Sequence, residues 1–178
     1  MEDSTWYALR DASRLLDHSF HLVRSAVLVL SHLEVIVTRQ HPGAARRREV
    51  ARESLPMLFL ACGGQWTERQ SRWFPAEALS AARDRLMPIV QRDVASYHRH
   101  PAPLPAWYTP QAIEARLAAA CDFLHPDVSA AILILRKLGV IECRYASPFD
   151  IEIAGASLPL VCHAATGRPD AYDQGMPW

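Results

Sequence analysis

PDVSAAILILRKLGVIE, residues 126–142, reads as an apolar helix that runs into a glycine and turns straight into a strand. Pro126 suits the first helical position, because its missing N–H lacks a partner there anyway and its φ is already helical. Leu138-Gly139 makes the stop, since glycine tolerates the left-handed conformation that closes a helix. Val140–Tyr145 then has strand composition. A second strand follows, in which Phe149, Ile151 and Ile153 alternate with Asp150, Glu152 and Ala154. Ala146-Ser147-Pro148 forms the turn between them. Upstream, Thr109-Pro110 reads as an N-cap and first helical residue for Gln111–Phe123, with Ile113, Leu117 and Ala120 at helical spacing.

Helix, short turn, helix and hairpin over roughly residues 109–154 resembles a winged helix. The run ILRKLGVIECR, 134–144, is similar to the part of that family where leucines pack the last helix and a glycine leads into the wing. The resemblance implies a small α+β module with Pro126–Leu138 as recognition helix and residues 140–153 as wing. A buried helix followed by an unrelated hairpin fits the same residues.

The chain of 178 residues has room for one substantial domain or two small ones. With 50% hydrophobic and 21% charged residues it falls in the range of ordinary globular proteins. Apolar runs stay well short of the roughly 20 residues that cross a bilayer, and MEDSTW lacks a signal-peptide outline, so the default location is cytoplasmic. Cys62, Cys121, Cys143 and Cys162 have no zinc-ribbon spacing and read as free, buried thiols. Only Lys137 among the 19 basic residues is a lysine, a bias that points to a GC-rich bacterial genome.

From Thr5 to about Arg39 there is no Gly or Pro, and Leu15, Leu16, Phe20, Val23, Val27, Leu30, Leu33 and Val37 gather on one arc at helical period. One long amphipathic helix is expected there, the spine of an N-terminal helical bundle. Leu22, Leu28 and Ile36 interrupt its polar side and read as interface positions. After the break at His41-Pro42-Gly43, Ala44–Glu53 reads as a helix carrying Arg46, Arg47, Arg48 and Arg52. Those four arginines are either a nucleic-acid or acidic-partner patch, or a solvated helix face neutralised by Glu49 and Glu53. Pro56 must kink this helix or restart it, with Ser54 a candidate cap for the restarted piece, and Gly63-Gly64 ends it. Phe74-Pro75 opens a helix through Leu79, Leu86, Val90, Val94 and Tyr97, with a bend at Pro88. The expected organisation is therefore a helical domain over 1–100, a proline-rich linker over 101–108 and a winged-helix-like module over 109–178 with an irregular tail. No internal repeat is expected.

Residues 101–178 carry five basic against eight acidic side chains, a net of −3, which suits protein binding better than phosphate neutralisation. Residues 1–100 have 14 Arg against 11 acids. His18 and His21 at i, i+3, with His32 further along, are too few ligands to define a metal site. Cys162-His163 on a strand would point to opposite faces and cannot act as nucleophile and base. Phosphate loops, Rossmann fingerprints and G-x-S-x-G elbows are absent from the sequence. The expectation is a mostly α, non-enzymatic accessory or interaction subunit without cofactor or metal. Its partner is another protein or a second copy, and Trp6, Trp66, Trp73, Trp107 and Trp178 are the aromatic anchors to test, Trp107 and Trp178 foremost. The alternative is a DNA-binding regulator that dimerises through the first helix and uses the arginine cluster. An enzyme ranks third.

Overall fold

The computed structural model describes residues 5–64, 74–99, 107–120 and 127–173. These are mostly helical, with two small antiparallel sheets. The chain forms two compact units, Met1–Leu86 and Met87–Trp178. The linker expected at 101–108 falls largely on residues 101–106, outside the described residues.

In the first unit the single spine helix is replaced by four elements: strand β1 (Trp6–Ala8), helices α1 (Leu9–Leu16) and α2 (Phe20–His32), and strand β2 (Thr38–His41). The breaks are made without glycine or proline. Asp17 closes α1 in the left-handed conformation at φ 55°, and the Ser19 hydroxyl accepts a hydrogen bond from the Leu22 N–H to open α2. Glu34, at φ 57°, stops the chain after α2. Ala44–Glu53, expected as a helix, is mostly strand β3 (Ala44–Ala51), which leads through a 3-10 turn at Arg52–Ser54 into helix α3 (Leu55–Ala61). Strand β3 pairs on both edges, in the order β1-β3-β2, and this pairing overrides the helix preference of its Ala and Arg residues. An all-helical N-terminal bundle is thus corrected to helices packed on a three-stranded sheet. Ser54 makes no cap; its hydroxyl accepts from the Val37 N–H at 2.8 Å.

Helix α4 (Ala76–Arg99) continues through Pro88, and the division between the units falls within it. The second unit continues with strand β4 (Trp107–Tyr108), helices α5 (Pro110–Ala120) and α6 (Val128–Leu138), strands β5 (Cys143–Tyr145) and β6 (Ile151–Ala154), and helix α7 (Leu158–Thr166). Thr109 caps α5 as expected, accepting from the Ala112 N–H. Asp127 caps α6 through the Ala130 N–H, so the helix opens at Val128 rather than at Pro126, which lies outside the described residues. Cys162 and His163 sit in α7, not on a strand, and beyond it Ala171 and Tyr172 are buried.

The two units repeat one motif of strand, two helices, hairpin, 3-10 turn and helix, in the sheet orders β1-β3-β2 and β4-β6-β5. The pairing register makes Trp6, Tyr7, Arg39 and Glu49 equivalent to Trp107, Tyr108, Arg144 and Glu152. In each copy the arginine lies over the tryptophan ring, at 4.3 and 4.4 Å, and its Nε meets the glutamate at 2.7 Å. Ser157 repeats Ser54, accepting from the Glu142 N–H at 2.9 Å, and Leu-Pro follows both serines. Eight of the 17 residues in Val23–Arg39 are identical to their counterparts in Val128–Arg144: Val23, Ala26, Leu28, Leu30, Leu33, Val35, Ile36 and Arg39. The expectation of no internal repeat is therefore overturned.

Glu34 of the first copy stands where the second has Gly139, at φ 57° and 69°. A side chain in that conformation costs roughly 1–2 kcal/mol. A Cβ on Gly139 would meet nothing within 4 Å, so backbone strain alone sets the cost there. Gly139→Ala is expected to destabilise by about 1 kcal/mol. Glu34→Gly, relieved of strain but given a more flexible unfolded chain, should be neutral to stabilising by up to about 1 kcal/mol. Urea unfolding of both variants checks the pair, and a neutral Gly139→Ala would contradict this account of the helix stop.

Candidate functional site

Among the described residues, a cluster of positive charge stands at one end of the first sheet. Because β1 lies antiparallel to β3, the start of α1 comes beside Arg47 and Arg48. Arg10, Arg14, Arg47 and Arg48 line a cavity of about 460 Å³ together with Ala8, Leu9, Asp11 and Phe20. Arg10 lies 6.0 Å from the centre of the Phe20 ring, and Arg14 reaches Asp11 at 3.6 Å. Arg47 and Arg48 are exposed and form no ion pair among the described residues. Four arginines thus line the cavity beside one carboxylate, a composition that attracts anions and supplies the paired N–H donors that grip a phosphate or carboxylate.

Of the patch expected from the sequence, Arg47 and Arg48 belong to this site on a strand, not on a helix face. Arg46 is in the same strand with its side chain outside the described residues, and Arg52 is exposed in the following turn but does not line the cavity. Arg10 and Arg14 were not singled out by sequence; their i, i+4 spacing on α1 is the signal that was available.

The copy in the second unit lacks this charge. By register, Arg47 and Arg48 correspond to Asp150 and Ile151, and the equivalent turns of α5 carry Gln111 and Ala115 in place of Arg10 and Arg14. The Trp, Arg and Glu of the shared sheet recur in both copies and serve the scaffold. The four cavity arginines occur in one copy alone, so the scaffold does not require them.

The interface residues fall in different settings. Leu22 and Leu28 are half-buried on α2, but Ile36 is 8% exposed and belongs to the core. Trp107 is half-buried beneath Arg144, and Trp178 lies outside the described residues. Among the described residues the most exposed aromatic is Phe149 at the tip of the second hairpin, 95% exposed, with Tyr145 nearby on β5. Of the first three histidines, His18 falls in the turn after α1 while His21 and His32 lie on α2, so no single helix face presents all three. Among the described residues no group of three or more His, Cys, Asp or Glu side chains is placed to hold a metal ion, and no helix is long and apolar enough to cross a membrane.

A second polar cluster, unforeseen from sequence, is buried in the second unit. Asp93 on α4 and His163 on α7 are 2% and 3% exposed and meet at 2.9 Å. An ionised carboxylate only accepts, so His163 Nδ1 donates to Asp93 Oδ2, and the 3.1 Å approach of Arg92 to the same nitrogen is a contact rather than a second bond. Arg92 instead grips Asp93 Oδ1 at 2.8 Å. One turn along α4, the Ser96 hydroxyl donates to Asp173. Burial, followed by the neighbouring Tyr97, pushes the Tyr172 phenol far above its usual value, so it stays protonated at neutral pH. Groups this buried do not meet substrate; the cluster fastens α4 to α7 and the segment after it.

No family model, curated protein or solved structure matches the chain.

Proposed function

We propose that the chain is a non-enzymatic interaction subunit made of two winged-helix-like modules, in which the first docks an acidic macromolecule and the second contacts protein. The resemblance rests on the strand, helix pair and hairpin of each unit and on the strand order in which the first strand joins the inner strand of the hairpin. The observation that carries the docking role is the charge placed on one copy of a duplicated scaffold: Arg10, Arg14, Arg47 and Arg48 against Gln111, Ala115, Asp150 and Ile151. In the second module the exposed Phe149 at the hairpin tip and its acidic neighbour Asp150 suit a protein contact.

Duplex DNA is the second reading for the acidic partner, favoured by the position of Arg47 and Arg48 on a hairpin strand beside the helix pair. Dimerisation through a single long first helix has no basis, because that helix is divided at Asp17. Retention of the protein on heparin, a general polyanion, tests the docking role. It should bind at low salt and elute earlier when Arg47 and Arg48 are both changed to Ala, whereas Arg136→Ala with Lys137→Ala in the second module should leave elution unchanged. Flow-through of the unmodified protein at low salt would remove the acidic-partner reading. Fluorescence anisotropy with mixed-sequence duplex at several salt concentrations, repeated with Arg46, Arg47 and Arg48 all changed to Ala, then separates DNA from an acidic protein as partner.

A further inference from the structure

We infer that the arginine cavity of the first module, formed by the same arginines as the docking surface and so resting on that reading, is a binding site for a phosphorylated small molecule of nucleotide size. Three features of the cavity point to this ligand class. Its volume of about 460 Å³ is that of a small-molecule pocket, not of a single ion site. Its charge, four arginines against Asp11, calls for more than one negative charge, which a phosphoryl dianion supplies and a lone carboxylate does not. Its wall is divided: Leu9 and Phe20 offer an apolar and aromatic surface beside the guanidinium groups, so a ligand with a phosphoryl group at one end and a flat apolar body at the other satisfies both.

The duplicated scaffold separates this site from the needs of folding. Ala12 and Leu16, on the inner side of α1, are buried as their counterparts Ile113 and Leu117 are. The outward positions 10 and 14 of the same helix are arginine only where the cavity exists, and Arg47 and Arg48 of β3 correspond to Asp150, just before β6, and Ile151, its first residue, neither of which carries positive charge.

Isothermal titration with adenosine monophosphate, adenosine and inorganic phosphate tests the assignment on the full chain. Adenosine monophosphate should bind, inorganic phosphate more weakly, and adenosine not measurably. Changing Arg47 and Arg48 to Ala should weaken the monophosphate by about tenfold or more, since each lost charge-assisted pair is worth about that factor. Phe20→Ala should weaken the monophosphate and leave inorganic phosphate unaffected, an outcome that a merely electrostatic surface would not give. Circular dichroism confirms that each variant is folded, and Arg10→Ala with Arg14→Ala provides an independent pair should the hairpin variant fail. Absence of heat with both phosphate-bearing probes at millimolar concentration would overturn the inference, as would equal binding of adenosine and adenosine monophosphate. Retention on heparin together with silence towards both probes would overturn the small-molecule site alone and leave the acidic-partner reading standing.

Discussion

Asp93→Ala is expected to destabilise the second unit by about 3 kcal/mol, because removing the carboxylate leaves a buried hydrogen-bond donor without its acceptor. His163 Nδ1–H would lose its acceptor while remaining 3% exposed, and Arg92 would lose the carboxylate that holds it at 2.8 Å. Arg92 is half in solvent and recovers water, so the cost falls on the imidazole and on the contact between α4 and α7. Asp93→Asn keeps an oxygen for the imidazole and should cost less. Urea unfolding read by circular dichroism gives the comparison. An Asp93→Ala loss within about 0.5 kcal/mol of zero, the range of ordinary surface changes, would mean that the pair contributes nothing to stability.

The second module was legible because its punctuation is conventional. Thr109 caps one helix, Gly139 closes the next, and the alternation through Ile151 and Ile153 marks the inner strand of the hairpin. The first module follows the same plan with unconventional residues at the same joints. Glu34 takes the left-handed position that Gly139 takes later, and Asp17 does so between α1 and α2, so a stretch without Gly or Pro hides two helix ends and two strands. The repeat was concealed for a related reason. Its spacing drifts from 101 residues at Trp6 and Trp107 to 105 at Leu30 and Leu135 and 103 at Ser54 and Ser157, so no fixed period aligns the copies. The cavity arginines stand far apart along the chain and meet only through the pairing of β1 with β3, which could not be seen while β3 read as a helix. Asp93 and His163, 70 residues apart, leave no local signal either.

Leu30→Ala and Leu135→Ala should each cost about 2–5 kcal/mol, the range for a buried leucine whose removal leaves a cavity. Both side chains are 0% exposed, at equivalent places on α2 and α6, each followed by a left-handed residue and a hairpin. They also accept equivalent hydrogen bonds, Leu30 from the Val35 N–H at 3.1 Å and Leu135 from the Val140 N–H at 3.2 Å. Equal packing predicts losses of similar size, whereas Leu28→Ala and Leu133→Ala, half-buried in both copies, should cost clearly less. Denaturant unfolding of the four variants tests whether the copies share a core as well as a topology. A loss at Leu30 below about 1 kcal/mol beside a full loss at Leu135 would show that the first unit is not packed as a copy of the second. Matched losses would mean that duplication preserved the core around both helices while the outer positions diverged, which is the condition under which arginines at 10, 14, 47 and 48 are free to serve binding.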